Sequence, residues 1–150
     1  MDDARPTPIR EARELAGYTQ EGFAEYLRID PRTLRRYESG ELETPDAVML
    51  DAVELAGRPL LLYRHFKGKY RIADEILPPV EAVPLPVAVL NLLHELDQLE
   101  RSRTASRLLE LTRDGVIDPE EERDYRMILA KLEGVRRAVT LLRYAESKTP

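Results

Sequence analysis

The chain has no cysteine, which excludes a disulfide framework and a cysteine zinc site. Histidine is nearly absent. His65 and His94 lie far apart on different predicted elements, so a histidine-based metal site has no support. No apolar run reaches membrane-spanning length, and the charged, proline-containing start "MDDARPTP" holds no apolar signal core. A cytoplasmic protein without a membrane partner is expected. Glycine is scarce at 7 residues and proline outnumbers it at 11. The prolines cluster at segment borders and so mark where elements begin. A surplus of positive charge is also lacking, with a formal net charge of −5. Bulk electrostatic attraction to nucleic acid is therefore excluded, and any case for DNA rests on local charge placement and motif.

The 150 residues are 43% hydrophobic and 34% charged. That balance suits a helical protein able to build one core or two small ones, and does not suit a disordered tail. The charge is unevenly spread. Residues 1–57 carry 7 Arg against 13 Asp and Glu, residues 58–75 have a net charge of +3, and residues 76–150 have a net of −2.

Four or five short helices are expected in residues 1–57. Pro8 opens "PIREARELA" with Ile9, Ala12, Leu15 and Ala16 on one face, and Gly17 ends it. Thr19 caps "QEGFAEYL", which turns Phe23, Ala24 and Leu27 inward. Asp30-Pro31 is a strong start for the next helix, with Leu34 and Tyr37 inward and Gly40 as its stop. Thr44-Pro45 starts a fourth helix with Val48 and Leu55 inward, ending at Gly57. Residues 58–85 differ. "RPLLLYRHFKGKYRI" is basic with interleaved aromatics and fits either a helix end followed by irregular chain or a short hairpin. The "LPPVEAVPLP" after it reads as a semi-rigid linker.

Residues 86–113 and 118–146 then read as two long helices around "DGVIDPEE". Gly115 suits a left-handed cap, and Asp118, Pro119 and Glu121 form a capping box. The second helix carries a 3/4-spaced seam at Tyr125, Ile128, Leu132, Val135, Val139 and Leu142. The first is apolar at Val89, Leu92, Leu93, Leu96 and Leu99, weakens through "ERSRTASR", and recovers at Leu108, Leu109 and Leu111. The chain is therefore expected to be all-α, a bundle of short helices followed by a long antiparallel helical hairpin over residues 86–150. A lone hairpin leaves apolar surface wet, so copies of the chain are expected to meet there as a dimer or tetramer. The candidate contacts are Leu93, Leu109, Leu129, Leu132, Val135 and Leu141.

The stretch "TQEGFAEYLRIDPRTLRRYESGE", residues 19–41, holds two short helices about a tight turn. Arg32, Arg35 and Arg36 lie on or beside the exposed face of the second helix, which could enter a major groove. There an arginine can bond guanine O6 and N7 together. Gln20 stands at a helix N-terminus, where a neutral donor and free N–H groups can grip phosphate.

This stretch resembles the helix-turn-helix of Xre/Cro-type bacterial and phage repressors. The matching residues are Thr19-Gln20 at the first motif helix, Ala24 at the close crossing, Ile29 in the turn, Thr33-Leu34 early in the recognition helix, and "RRYESGE" at its close. The resemblance covers about residues 7–57. It implies a sequence-specific transcriptional regulator whose DNA contacts fall on Gln20, Arg32, Thr33, Arg35 and Arg36, with no cofactor. It also implies a structural ion pair between Arg13 and Glu38. Two positions depart from the pattern. Arg28 stands where the turn usually has glycine, and Glu41 where a basic residue usually follows "SG". The second half is similar in style to phage regulators with a hairpin behind the motif, which implies an oligomer on a palindromic site. A different class uses the same parts for assembly, as in a phage DNA-packaging adaptor or an antitoxin.

The remaining features are weaker. "ELTRDGVIDPEE" partly mimics a calcium loop at Asp114, Gly115, Ile117 and Glu121, but Glu110 and Thr112 replace the expected ligands and helix caps account for every match. No nucleophile–base pair, phosphate loop or catalytic motif is present, so enzymatic activity is not expected.

Overall fold

The computed structural model describes residues 5–146. Among them the secondary structure is helical throughout, apart from one isolated bridge between Pro84 and Glu146. The chain divides into two compact units, Met1–Leu77 and Pro78–Pro150.

The first unit holds α1 (Pro8–Leu15), α2 (Gln20–Tyr26), α3 (Pro31–Glu38), α4 (Asp46–Ala56), α5 (Leu60–Lys69) and the single turn α6 (Ala73–Ile76). Its core is Ile9 and Ala12 of α1, Phe23 and Ala24 of α2 with Leu27 after it, Leu34 and Tyr37 of α3, Met49, Ala52 and Val53 of α4, and Leu61 of α5. Two inward faces differ from expectation. Leu15 is half exposed, because α1 ends with it and the chain turns away at Gly17. In α4 the buried side is Met49, Ala52 and Val53, while Val48 and Leu55 only flank it. "AVMLDAVELA" is apolar on more than one face, so its pattern does not fix which side turns inward.

Residues 58–77 belong to this unit. Leu61 and Tyr63 are buried, and α5 packs on α1 and α4. Its cations fasten it to distant carboxylates. Arg64 bonds Glu11 of α1. Lys69 reaches Glu43 at 3.1 Å and Asp46 at 2.9 Å. Asp46 also accepts from Tyr70 Oη at 2.9 Å and lies 2.9 Å from His65 Nε2. The bonds from Lys69, then His65 and Tyr70, hold the Asp46 carboxyl far below the usual carboxylate range. The bonds to Asp46 and Glu43 hold Lys69 above its ordinary value.

The second unit holds α7 (Leu85–Arg101), α8 (Thr104–Leu111) and α9 (Glu122–Arg143). α7 and α9 pack against each other as an antiparallel pair. At one end Leu85 N donates to Glu146 O at 3.0 Å and Glu146 N to Val83 O at 2.9 Å. The contact is built on small residues. Ala88 and Ala138 are buried, and a Cβ on Gly134 would meet Glu95 Oε2 at 2.6 Å. The reciprocal bonds of the expected capping box form, but in the turn just ahead of α9, which begins at Glu122 rather than at Pro119 and has no side-chain bond at its own N-cap, Glu121. Asp118 Oδ1 accepts from Glu121 N at 3.0 Å, and Asp118 N donates back to Glu121 Oε2 at 3.3 Å.

The first long helix is broken, against expectation. At Arg103 the backbone enters the left-handed region, with φ +50°, and Ser102 Oγ lies 2.7 Å from Thr104 Oγ1. The cause is phase. Continued straight, the stripe of Val89, Leu92, Leu96 and Leu99 would run into Arg103, Ser106 and Glu110. The elbow turns α8 so that Thr104 and Leu111 are buried and Arg107 bonds Asp124 of α9. A second difference lies in the α9 seam. Ile128 and Ala138 are buried with Val135 and Leu142 partly so, but Leu132 is 38% and Val139 50% exposed. α7 covers only one flank of the seam, with Glu95 against Gly134 and the buried side of α9 running through Ile128 and Ala138.

Candidate nucleic-acid interface

α2 and α3 are each set by a side-chain cap. Thr19 Oγ1 accepts from Gly22 N at 3.1 Å, and Asp30 Oδ1 from Arg32 N at 2.8 Å. Between the helices Arg28 has φ +55° and Ile29 N donates to Ala24 O at 3.0 Å. A non-glycine residue in this conformation costs about 1–2 kcal/mol. Ala24 is fully buried where α2 meets α3, and a larger side chain would push the helices apart.

Leu34, Tyr37 and Glu38 anchor α3 inward. Arg32, Arg35 and Arg36 are left on its exposed side, with Thr33 half buried. The three arginines, Ser39 and Glu41 line one shallow concavity. Arg36 Nε bonds Glu41 Oε1 at 2.9 Å, and Arg35 lies 3.6 Å from Glu21 with both side chains well exposed. Arg32 has no ion pair among the described residues. Exposed pairs of this kind contribute little, typically under ~1 kcal/mol, so a phosphate or a base edge can displace them.

Beneath this surface lies a buried carboxylate. Glu38 Oε1 accepts from Arg13 Nε at 2.6 Å, and Oε2 accepts from Arg13 Nη2 at 3.3 Å and from Gln20 Nε2 at 2.7 Å. The Glu38 side chain is 5% and that of Arg13 15% exposed. Arg13 also donates to Tyr18 O at 3.0 Å, and Thr7 Oγ1 to Glu38 O at 3.0 Å. Sequence reasoning did not foresee that Gln20 joins this network, since its tie to Glu38 spans 18 residues. An amide nitrogen has two hydrogens, so one N–H of Gln20 is left for another acceptor. Arg10, Arg13, Gln20, Arg35, Glu38 and Ser39 line a second shallow hollow.

No group of acidic or histidine ligands able to hold a metal occurs among the described residues. No helix among the described residues is long and apolar enough to cross a membrane.

The family model described as helix-turn-helix matches residues 9–58. That span takes in α1 to α4, the Arg13–Glu38–Gln20 network and the arginines of α3. No curated protein and no solved structure matches the chain.

Proposed function

We propose that the chain is a sequence-specific transcriptional regulator of phage or bacterial origin, acting as an oligomer, with residues 9–58, which the helix-turn-helix family model matches, as a DNA-binding domain of the Xre/Cro type. The observation that carries this is the exposed row of Arg32, Arg35 and Arg36 on a capped α3 whose other side is locked into the core. In this reading α3 enters the major groove, Arg32 and Arg35 read base edges, and Thr33 and Arg36 lie at the groove wall. Gln20, held by Glu38, offers its second N–H to a phosphate.

The phosphate inventory is small. Glu41 faces Arg36, and Arg64, Lys67 and Lys69 are engaged by carboxylates. A single domain so poor in free cations needs a second domain beside it. The hairpin of residues 86–150 supplies that link, with Leu93, Leu129 and Leu132 of the expected contacts exposed on one face, while Val135 is partly buried on the side that meets α7 and Leu141 falls on the opposite side of α9. Two recognition helices then lie about one DNA turn apart, ~34 Å, on a palindromic site.

The test is a selection of genomic fragments on the purified chain, followed by Arg35→Ala on the selected site and on random DNA. Loss of about 1–3 kcal/mol on the site alone supports base reading by Arg35. Equal loss on both DNAs makes Arg35 a backbone contact and overturns its assignment.

A further inference from the structure

We infer that one face of the α7–α9 hairpin, carrying Val89, Leu93 and Leu96 of α7 and Leu129, Leu132 and Val139 of α9, is the surface on which a second copy of this chain docks, as a four-helix bundle. The inference rests on the oligomer reading above and says which surface makes the oligomer.

The face follows from register and helical phase. Leu85 beside Glu146 and Glu95 against Gly134 fix the antiparallel pairing. Val89 thereby lies within about two residues of the level of Val139, and Leu96 within about one of Leu132. At about 100° per residue, the stripe 89–93–96 lies about 90° around α7 from its buried side of Ala88, Leu92, Glu95 and Leu99. The stripe 129–132–139 lies about 90° around α9, in the same sense, from Ile128, Val135, Ala138 and Leu142. In antiparallel helices equal turns of the same sense bring both stripes out on one side of the hairpin. The six side chains are 38–56% exposed. At roughly 80 Å² apiece they offer on the order of 500 Å² of apolar surface per copy, ~1,000 Å² across a pair, which stands at the lower bound for a biological interface before any polar rim is added.

The spacing selects a second copy as the occupant. α9 places apolar residues at 128, 132, 135, 139 and 142, and α7 at 85, 89, 92, 96 and 99. Both follow the alternating steps of four and three that fit a helix seam. Each seam is covered on one flank only. A two-helix antiparallel layer turned over by a two-fold axis lying in its plane presents the same spacing in an antiparallel sense to the face it meets. The open flank of each seam then finds another of its own period.

The experiment uses the full chain. Leu132→Gln and Leu93→Gln replace residues already in contact with solvent, so helix content by circular dichroism should stay at the wild-type value. Sedimentation equilibrium should then show monomers where the wild type is a dimer or larger, with the apparent dissociation constant raised at least ~100-fold. The chain has no cysteine, so single introduced cysteines give a second readout that needs no change in stability. Oxidation of single-cysteine chains, taken alone and mixed in pairs, should link copies through the six face positions and not through Gln98→Cys or Arg137→Cys on the other side. Oligomers that survive both glutamine variants, or crosslinks confined to Gln98 and Arg137, overturn the face and leave the oligomer reading standing. A wild type that sediments as a monomer overturns both. DNA reading by Arg35 is scored separately by the selection described above.

Discussion

Removing the Glu38 carboxylate, as in Glu38→Ala, tests whether the buried network holds the reading surface together. Three N–H donors converge on that group, two from Arg13 and one from Gln20, all at 3.3 Å or less. The alanine leaves a guanidinium with 15% side-chain exposure and without its counter-ion. Breaking one side of a buried pair typically costs ~3–5 kcal/mol, because the remaining charge is stranded. Arg13 keeps its bond to Tyr18 O and has some access to water, so about 2–4 kcal/mol is the expected loss here. A domain of this size has a total stability of only ~4–11 kcal/mol.

Urea unfolding followed by circular dichroism gives the size of the loss, and amide hydrogen exchange shows where it falls. Protection should drop in α1, α2 and α3 and stay unchanged in α7 and α9. The double variant Arg13→Met with Glu38→Leu should recover most of the stability, since no charge is then left unpaired. It should not recover DNA affinity, because Gln20 has lost the partner that orients it. A loss below ~1 kcal/mol for Glu38→Ala would refute the reasoning, since the pair would then be behaving as a surface pair.

Arg28→Gly should raise the unfolding midpoint and leave DNA affinity unchanged, because the left-handed strain of about 1–2 kcal/mol exceeds the added chain entropy of glycine; a lowered midpoint would mean that the Arg28 side chain contributes more than its backbone costs. The link from Asp46 to α5 should be insensitive to pH across the neutral range. A depressed carboxylate contributes stability above its unfolded value of ~4, which is lost only as pH falls through the lower folded value. A raised lysine contributes below its unfolded value of ~10, which is lost only as pH rises through the higher folded value. The gap in thermal midpoint between wild type and Asp46→Asn should therefore be flat from about pH 5 to 9 and narrow in stronger acid. A step near neutrality would refute this account of the link.

Local signals carried the motif. Thr19, Asp30-Pro31 and Asp118 announce caps through chemistry within three residues; Thr19 and Asp30 cap α2 and α3, and the bonds of Asp118 close the turn that leads into α9. The left-handed turn at Arg28 could be anticipated from the resemblance alone, since its own side chain gives no sign of it. Long-range partners were invisible. The basic stretch of α5 looks like a cationic surface until Glu11, Glu43 and Asp46 are brought to it from 23–53 residues away. The hairpin was legible in outline, with its packing face misread. Heptad spacing marks the seam at Leu132 and Val139, but the closest approach follows the smallest residues, Ala88, Gly134 and Ala138, and spacing rules do not weigh size.

The elbow at Arg103 divides the hairpin into parts that differ in their tolerance to changes of length. α7 and α8 are already out of phase, and the left-handed residue between them absorbs the difference. A residue inserted at Ser102–Arg103 changes how that joint is made and leaves the pattern of either helix intact. The same insertion in the middle of α9 turns everything after it by about 100° and carries Ala138 and Leu142 off α7. Related chains that have gained or lost residues in this unit should have done so at the elbow or in the turn after α8, with α9 keeping its count.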